Sequence, residues 1–218
     1  MPISHGPLAG LPAGYARVAS ATSLERGHSP GLAPHWFGPA IGTVGGNRFD
    51  LPTPRAATDP GVCYLAERLL GALHERVFRG VHQPSVSRTT LSAHHAITPV
   101  ATVRDLVLID LVAGISVHGL QLHDITALPN VHPAAPLRYP ATQGMAGAWA
   151  STNAASGFPV PGGRVDGILY VSRFGANEAC LALWDIAAPA LGWGTPQPLG
   201  SHPGLVAACN AIGVVVVP

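Results

Sequence analysis

The sequence predicts an α+β fold on two observations. Several short stretches, alternating or wholly apolar and rich in β-branched residues, read as strands, and two longer segments near 61–79 and 141–152 read as helices. At 218 residues the chain can bury one sizeable core, and no repeat or linker divides it. The expectation is a single domain over 1–218, its core running from about 15 to 185, with a Gly/Pro-rich arm before it and a tail after it.

In chain order, residues 1–14 read as an irregular arm and Tyr15–Ala19 as a short strand presenting Arg17. Residues 25–46 hold Pro30, Pro34 and Pro39 and read as a long loop placed over a cleft. The loop ends in GGNRFDLP, where Gly45-Gly46-Asn47 signals a turn and Pro52 stops the run Phe49–Leu51. Gly61–Arg79 has two parses. One is a helix opening at Asp59-Pro60, on which Tyr64 and Glu75 fall within about 20° of each other with Arg68 between them. The other makes Val62–Ala66 a strand and starts the helix near Glu67. Either aims Tyr64 and Glu75 at one cleft, and taken alone the stretch also reads as a solvated face with an Arg68/Glu75 or Glu75/Arg79 ion pair.

Downstream, Ser85–Leu91, His95–Val100 and Leu106–Val112 read as strands, the last buried on both faces. Leu120–Leu128 reads as a short helix and Ala141–Thr152 as a small-residue helix lying against the sheet. Gly167–Ser172 and Cys180–Asp185 form a hairpin of buried strands, and Gly213–Val217 is a terminal strand.

Composition excludes several functions. Charged residues are 11% against 47% hydrophobic, so the surface is built from Gly, Pro, Ser, Thr and His, and such neutrality invites association with itself or with a partner. All twelve basic residues are arginine and the net charge is +1, which gives no basic patch for nucleic acid. Cys63, Cys180 and Cys209 sit in apolar surroundings, which suits reduced, buried thiols and a cytoplasmic setting. MPISHGPLAG does not read as a signal peptide, since it lacks a charged n-region followed by an apolar one, and no apolar run is long enough to span a bilayer.

Eleven histidines raise the question of a metal, yet no HExxH, no HxH with a downstream carboxylate and no CxxC occurs, so no metal is expected. Ser172 lies in VSRFG and not in GxSxG, and GTVGGN lacks the context of a nucleotide fingerprint. What remains is a spaced set: Arg48 in NRFD, Tyr64 in GVCYLA, Glu75 in GALHE, and Ser172-Arg173 in DGILYVSR. One by one these read as a surface hydrogen-bonder or a satisfied edge residue. Together, from about Tyr15 to about Asp185 and with the IDL strand at Ile109–Leu111, they resemble the RES-domain family, named for its arginine, glutamate and serine.

The resemblance implies bacterial toxins paired with helix-turn-helix, Xre-like antitoxins, and a fold like that of ADP-ribosyltransferases, a split pair of small β-sheets flanked by helices around an NAD cleft. It places the family's arginine at Arg48, its tyrosine at Tyr64, its glutamate at Glu75 and its serine at Ser172. Arg17 stands for an earlier arginine, and Arg173 follows the serine. The implied chemistry consumes NAD as substrate: Glu75 stabilises positive charge on the ribose as the nicotinamide bond breaks. Arg48 and Arg17 grip the pyrophosphate, Tyr64 stacks on a flat ring, and Ser172 hydrogen-bonds the substrate. The acceptor of ADP-ribose is phosphate or water. The alternatives are a cellular protein as acceptor, or a nucleotide-binding module without catalysis. The implied antitoxin covers the cleft.

Overall fold

The computed structural model describes residues 3–78, 83–121, 139–172 and 178–218. Its strands are β1 Ile3–His5, β2 Tyr15–Val18, β3 Ser23–His28, β4 Val62–Ala66, β5 Ser85–Ser87, β6 Ala96–Thr102, β7 Leu106–Asp110, β8 Gly167–Val171, β9 Ala179–Trp184, β10 Leu191–Trp193, β11 Gln197–Pro198 and β12 Val215–Val217. The helices are α1 Leu69–Arg76, α2 Arg88–His94, α3 Pro140–Ala155 and α4 Leu205–Asn210. Among the described residues none is long and apolar enough to cross a membrane.

The architecture is α+β. One hydrogen-bonded path runs β1-β2-β7-β8-β9-β4-β3-β6-β10, with β11 also on β6, while β5 and β12 form a separate parallel pair. Its weakest seam lies between β3 and β4, which share the single pair Glu25↔Ala66, whereas β3 pairs with β6 from Ser23↔Ala101 to His28↔Ala96. Past the seam the strands part, and Gly38 of the long loop takes the vacated edge by exchanging backbone hydrogen bonds with Val62. In place of the expected split pair of small sheets, the described residues form one large sheet continuous through this narrow seam, with a separate two-stranded pair.

The central strands bury both faces. Leu106, Leu108, Leu169, Leu181 and Leu183 form one core layer, and Ile109, Ile168, Tyr170, Ala182 and Trp184 belong to the other. All three cysteines are buried free thiols, and burial pushes that of Cys63 up to about 12.

Several expectations need correction. Of the two parses of Gly61–Arg79 the second holds, strand then helix. The arm is not irregular throughout, since Ile3–His5 pairs with β2 and His5 Nδ1 lies 2.6 Å from the buried Asp110. The loop begins after His28 and not at residue 25, because Ser23–His28 is a strand. Ser85–Leu91 is strand only to Ser87, whose side chain accepts from the Thr90 N–H and caps α2. Gly213–Val217 shortens to Val215–Val217, and the tail returns to the sheet as β10 and β11. The helix expected at Leu120–Leu128 falls almost wholly outside the described residues.

Candidate functional site

Helix α1 reaches the cleft because small residues let it lie close. A Cβ on Gly71 would stand 2.9 Å from the Ala66 Cβ, and one on Gly27 would stand 3.2 Å from the Arg76 Cβ, so α1 spans the seam between β4 and β3. Ala72 and Leu73 face the core. Glu75 and Arg76 line a cleft of about 270 Å³ between β3, β4, α1 and the loop, near the lower end of small-molecule pockets.

Tyr64 enters the same cleft from β4. Its hydroxyl donates to Asp50 Oδ1 at 2.9 Å and accepts from the Phe49 N–H at 3.0 Å. Burial, reinforced by the Asp50 charge, holds the phenol well above its ordinary 10, so it stays protonated and donating. Asp50 Oδ2 accepts from the Asn47 backbone at 2.8 Å and side chain at 3.1 Å. Gln143 of α3 donates to the carbonyls of Gly45 at 2.9 Å and Asn47 at 3.1 Å, clamping this turn from the other side. Gly45 is required there, since a Cβ would fall 2.1 Å from that of Asp50. The close approach of α3, expected toward the sheet, is made by Gly147 to Pro52, which lies in no strand, 3.0 Å from a notional Cβ.

Glu75 Oε2 accepts from the hydroxyl of Tyr170 at 3.3 Å. The expected Arg68/Glu75 pair does not form. Arg68 turns instead to the buried Glu178, with contacts of 2.6 and 3.2 Å. Arg79, the other suggested partner, lies outside the described residues.

Of the remaining expected site residues, Arg48, Ser172 and Arg17 stand off the cleft lining. Arg48 is buried behind it, its Nη1 donating to the Val171 carbonyl at 3.4 Å and its guanidinium over the rings of Tyr170 and Phe49. Ser172 is also buried, its backbone N–H bonded to the Glu178 carbonyl. Arg17 sits on β2, its Nε 3.7 Å from Asp105. Arg173 lies outside the described residues.

Sequence reasoning missed Arg26, Glu25 and Arg76, all on the lining. Both Nη groups of Arg26 donate to carbonyls of the loop, at Pro34 and Trp36, and its guanidinium lies 5.5 Å from the Trp193 ring. Arg76 Nη2 donates to the Ser29 hydroxyl. Burial raises the Glu25 carboxyl from its ordinary value, and His202 Nε2 is 3.9 Å away. The missed signal was the alternation in SLERGH, whose inward positions are Leu24, Arg26 and His28. Among the described residues no cluster of three His, Cys, Asp or Glu side chains is placed to hold a metal.

A carboxylate acceptor and a phenol thus share a half-enclosed cleft with two guanidinium donors, a set of groups that suits a sugar with an attached anion. A search of solved structures finds a chain of the M. tuberculosis MbcT–MbcA toxin–antitoxin complex at 14% identity, covering 83% of this chain and 85% of that one with a TM-score of 0.49. No curated protein matches the chain significantly. The sequence model of the RES domain matches residues 22–200, a span that holds Glu75, Tyr64, Arg48 and Ser172 and begins after Arg17, and on that match the chain belongs to the RES-domain family.

Proposed function

We propose that the cleft binds NAD and that the protein breaks the nicotinamide–ribose bond, transferring ADP-ribose to phosphate or water, as the toxin of a toxin–antitoxin pair. The observation that carries this reading is the meeting of Tyr64 and Glu75 on one cleft within a RES domain. As the bond to nicotinamide breaks, positive charge grows on the ribose, and a carboxylate fixed beside it stabilises that charge without a metal or a covalent intermediate. Glu75 has this role, and the Tyr64 ring offers a flat apolar face at the cleft wall. Ser172 and Arg48 support the wall from behind. The diphosphate contact is best served by Arg76, the half-buried arginine on the lining, because the fork of Arg26 already holds the loop.

The loop also exposes Leu32 and Trp36 on the cleft lining, and Ile41 and Val44 further along it. That apolar rim fits burial by a helix-turn-helix antitoxin of the Xre type.

Two experiments test the two parts. The purified chain, incubated with NAD with and without phosphate, should release nicotinamide, and Glu75→Gln should be slower by two or more orders of magnitude, roughly 3 kcal/mol or above, with an unchanged circular dichroism spectrum. Cells making the soluble wild-type chain alone should stop growing while those making Glu75→Gln continue. No nicotinamide release, or near wild-type release by Glu75→Gln, removes the catalytic reading, and normal growth with soluble wild-type protein removes the toxin.

A further inference from the structure

A carboxylate that acts mainly on a transition state must be held still before the charge develops. Among the described residues, Tyr170 meets Glu75 directly, its hydroxyl donating to Oε2 at 3.3 Å. Tyr170 is wholly buried in β8. Its ring centroid lies 4.8 Å from that of Phe49, and the Arg48 guanidinium carbon lies 5.2 Å from its centroid. Arg48 is fixed in turn by its bond to the carbonyl of Val171, the next residue on the strand. Burial, and then the charge of Glu75, keep the phenol far above its ordinary range, so its proton remains available to the carboxylate.

Arg48 therefore presents its charge to the face of an aromatic ring whose hydroxyl points at Glu75. A cation over a ring draws electron density from it and strengthens the hydroxyl as a donor. Resting on the function proposed above, we propose that Tyr170 is a positioning residue for Glu75 and that Arg48 acts through Tyr170, not by gripping the substrate's phosphates.

Tyr170→Phe keeps the ring and deletes only the hydroxyl, so packing survives. The expected result is a kcat about tenfold lower with the dissociation constant for NAD within twofold of wild type. A second readout does not depend on turnover. The chain has four glutamates, so its ¹³C-labelled glutamate carboxyl resonances can be assigned, with Glu75→Gln identifying that of Glu75. At fixed pH this resonance should move in Tyr170→Phe while the other three stay. Arg48→Gln should move the same resonance and lower kcat with NAD affinity kept. An unchanged kcat or an unmoved Glu75 resonance in Tyr170→Phe overturns the role of Tyr170. Weakened NAD binding at unchanged kcat in Arg48→Gln overturns that of Arg48. If the wild-type chain turns over no NAD, the function proposed above has failed, and the resonance alone decides whether Tyr170 positions Glu75.

Discussion

The two sides of the β3–β4 seam treat their inward faces in opposite ways. From β7 to β4 the strands pair over several residues each and bury leucine, isoleucine and valine on both faces. One strand further, β3 turns Arg26 and His28 inward, each 5% exposed. Burying such groups is costly unless every donor finds an acceptor. Here Arg26 donates to carbonyls of the long loop, while neutral His28 donates from Nδ1 to the Ser29 carbonyl and accepts at Nε2 from the Thr98 hydroxyl. The closed side holds the fold together, and the parted side spends polar burial on a loop and a cleft.

The largest effect that sharpens this contrast belongs to the closed side. Leu181 is wholly buried between its strand partners Leu65 and Leu169, so Leu181→Ala should cost about 3 kcal/mol of stability by urea unfolding. Turnover per folded molecule should barely change. An unchanged urea midpoint would show that this half of the sheet is not the stabilising one.

The same contrast decides what could be read from the sequence. Leu106–Val112, Gly167–Ser172 and Cys180–Asp185 were legible because strands buried on both faces are apolar throughout. SLERGH was not, since two of its three buried positions are the polar Arg26 and His28, and a period-2 pattern counted in apolar residues is blind to them. Ile3–His5 is too short for periodicity to register, and its pairing depends on residues 16–18. Ser85–Leu91 misled because Ser87 and the two threonines suit either a strand or a capped first turn, and the cap decided. In the site, Tyr64 and Glu75 were legible as motif residues. Arg76 was not, because only the crossing of α1 over Gly27 brings it to the cleft. Asp50 stands in NRFD beside Arg48, but its bond to Tyr64 spans fourteen residues of sequence that no local pattern links.

A middle-sized effect separates the arginines. If Arg76 meets the diphosphate, Arg76→Ala should weaken binding of ADP-ribose about tenfold by calorimetry. Arg17→Ala, off the lining and paired with Asp105, should leave it unchanged. Equal losses in the two variants would undo the assignment of the contact to α1.

The smallest effect concerns acid, and it should fall on one side of the seam. Burial lowers the pKa of His28, His74, His95 and His202 from the ordinary 6.5, with the charges of Arg26 and Arg76 adding to the shift at His28. The unfolded chain regains 6.5, so between the folded and unfolded values it binds more protons than the folded one. Stability from these neutral histidines is therefore complete above about pH 6.5 and is lost as pH falls through the lower folded values. Glu25 opposes them, because burial raises its carboxyl and protonation relieves that penalty as pH falls toward 4.5. With four groups against one, the melting temperature should be lower at pH 5.5 than at 7.5. None of the four histidines lies on β7, β8 or β9, whereas His28 ends β3, His74 is on α1 and His95 precedes β6. Hydrogen exchange at pH 5.5 should accordingly deprotect β3 and β6 before β8 and β9. A melting temperature that is flat or rises on acidification, or loss of protection that begins in β8 and β9, would mean that the buried polar groups of the cleft side are not its weak point.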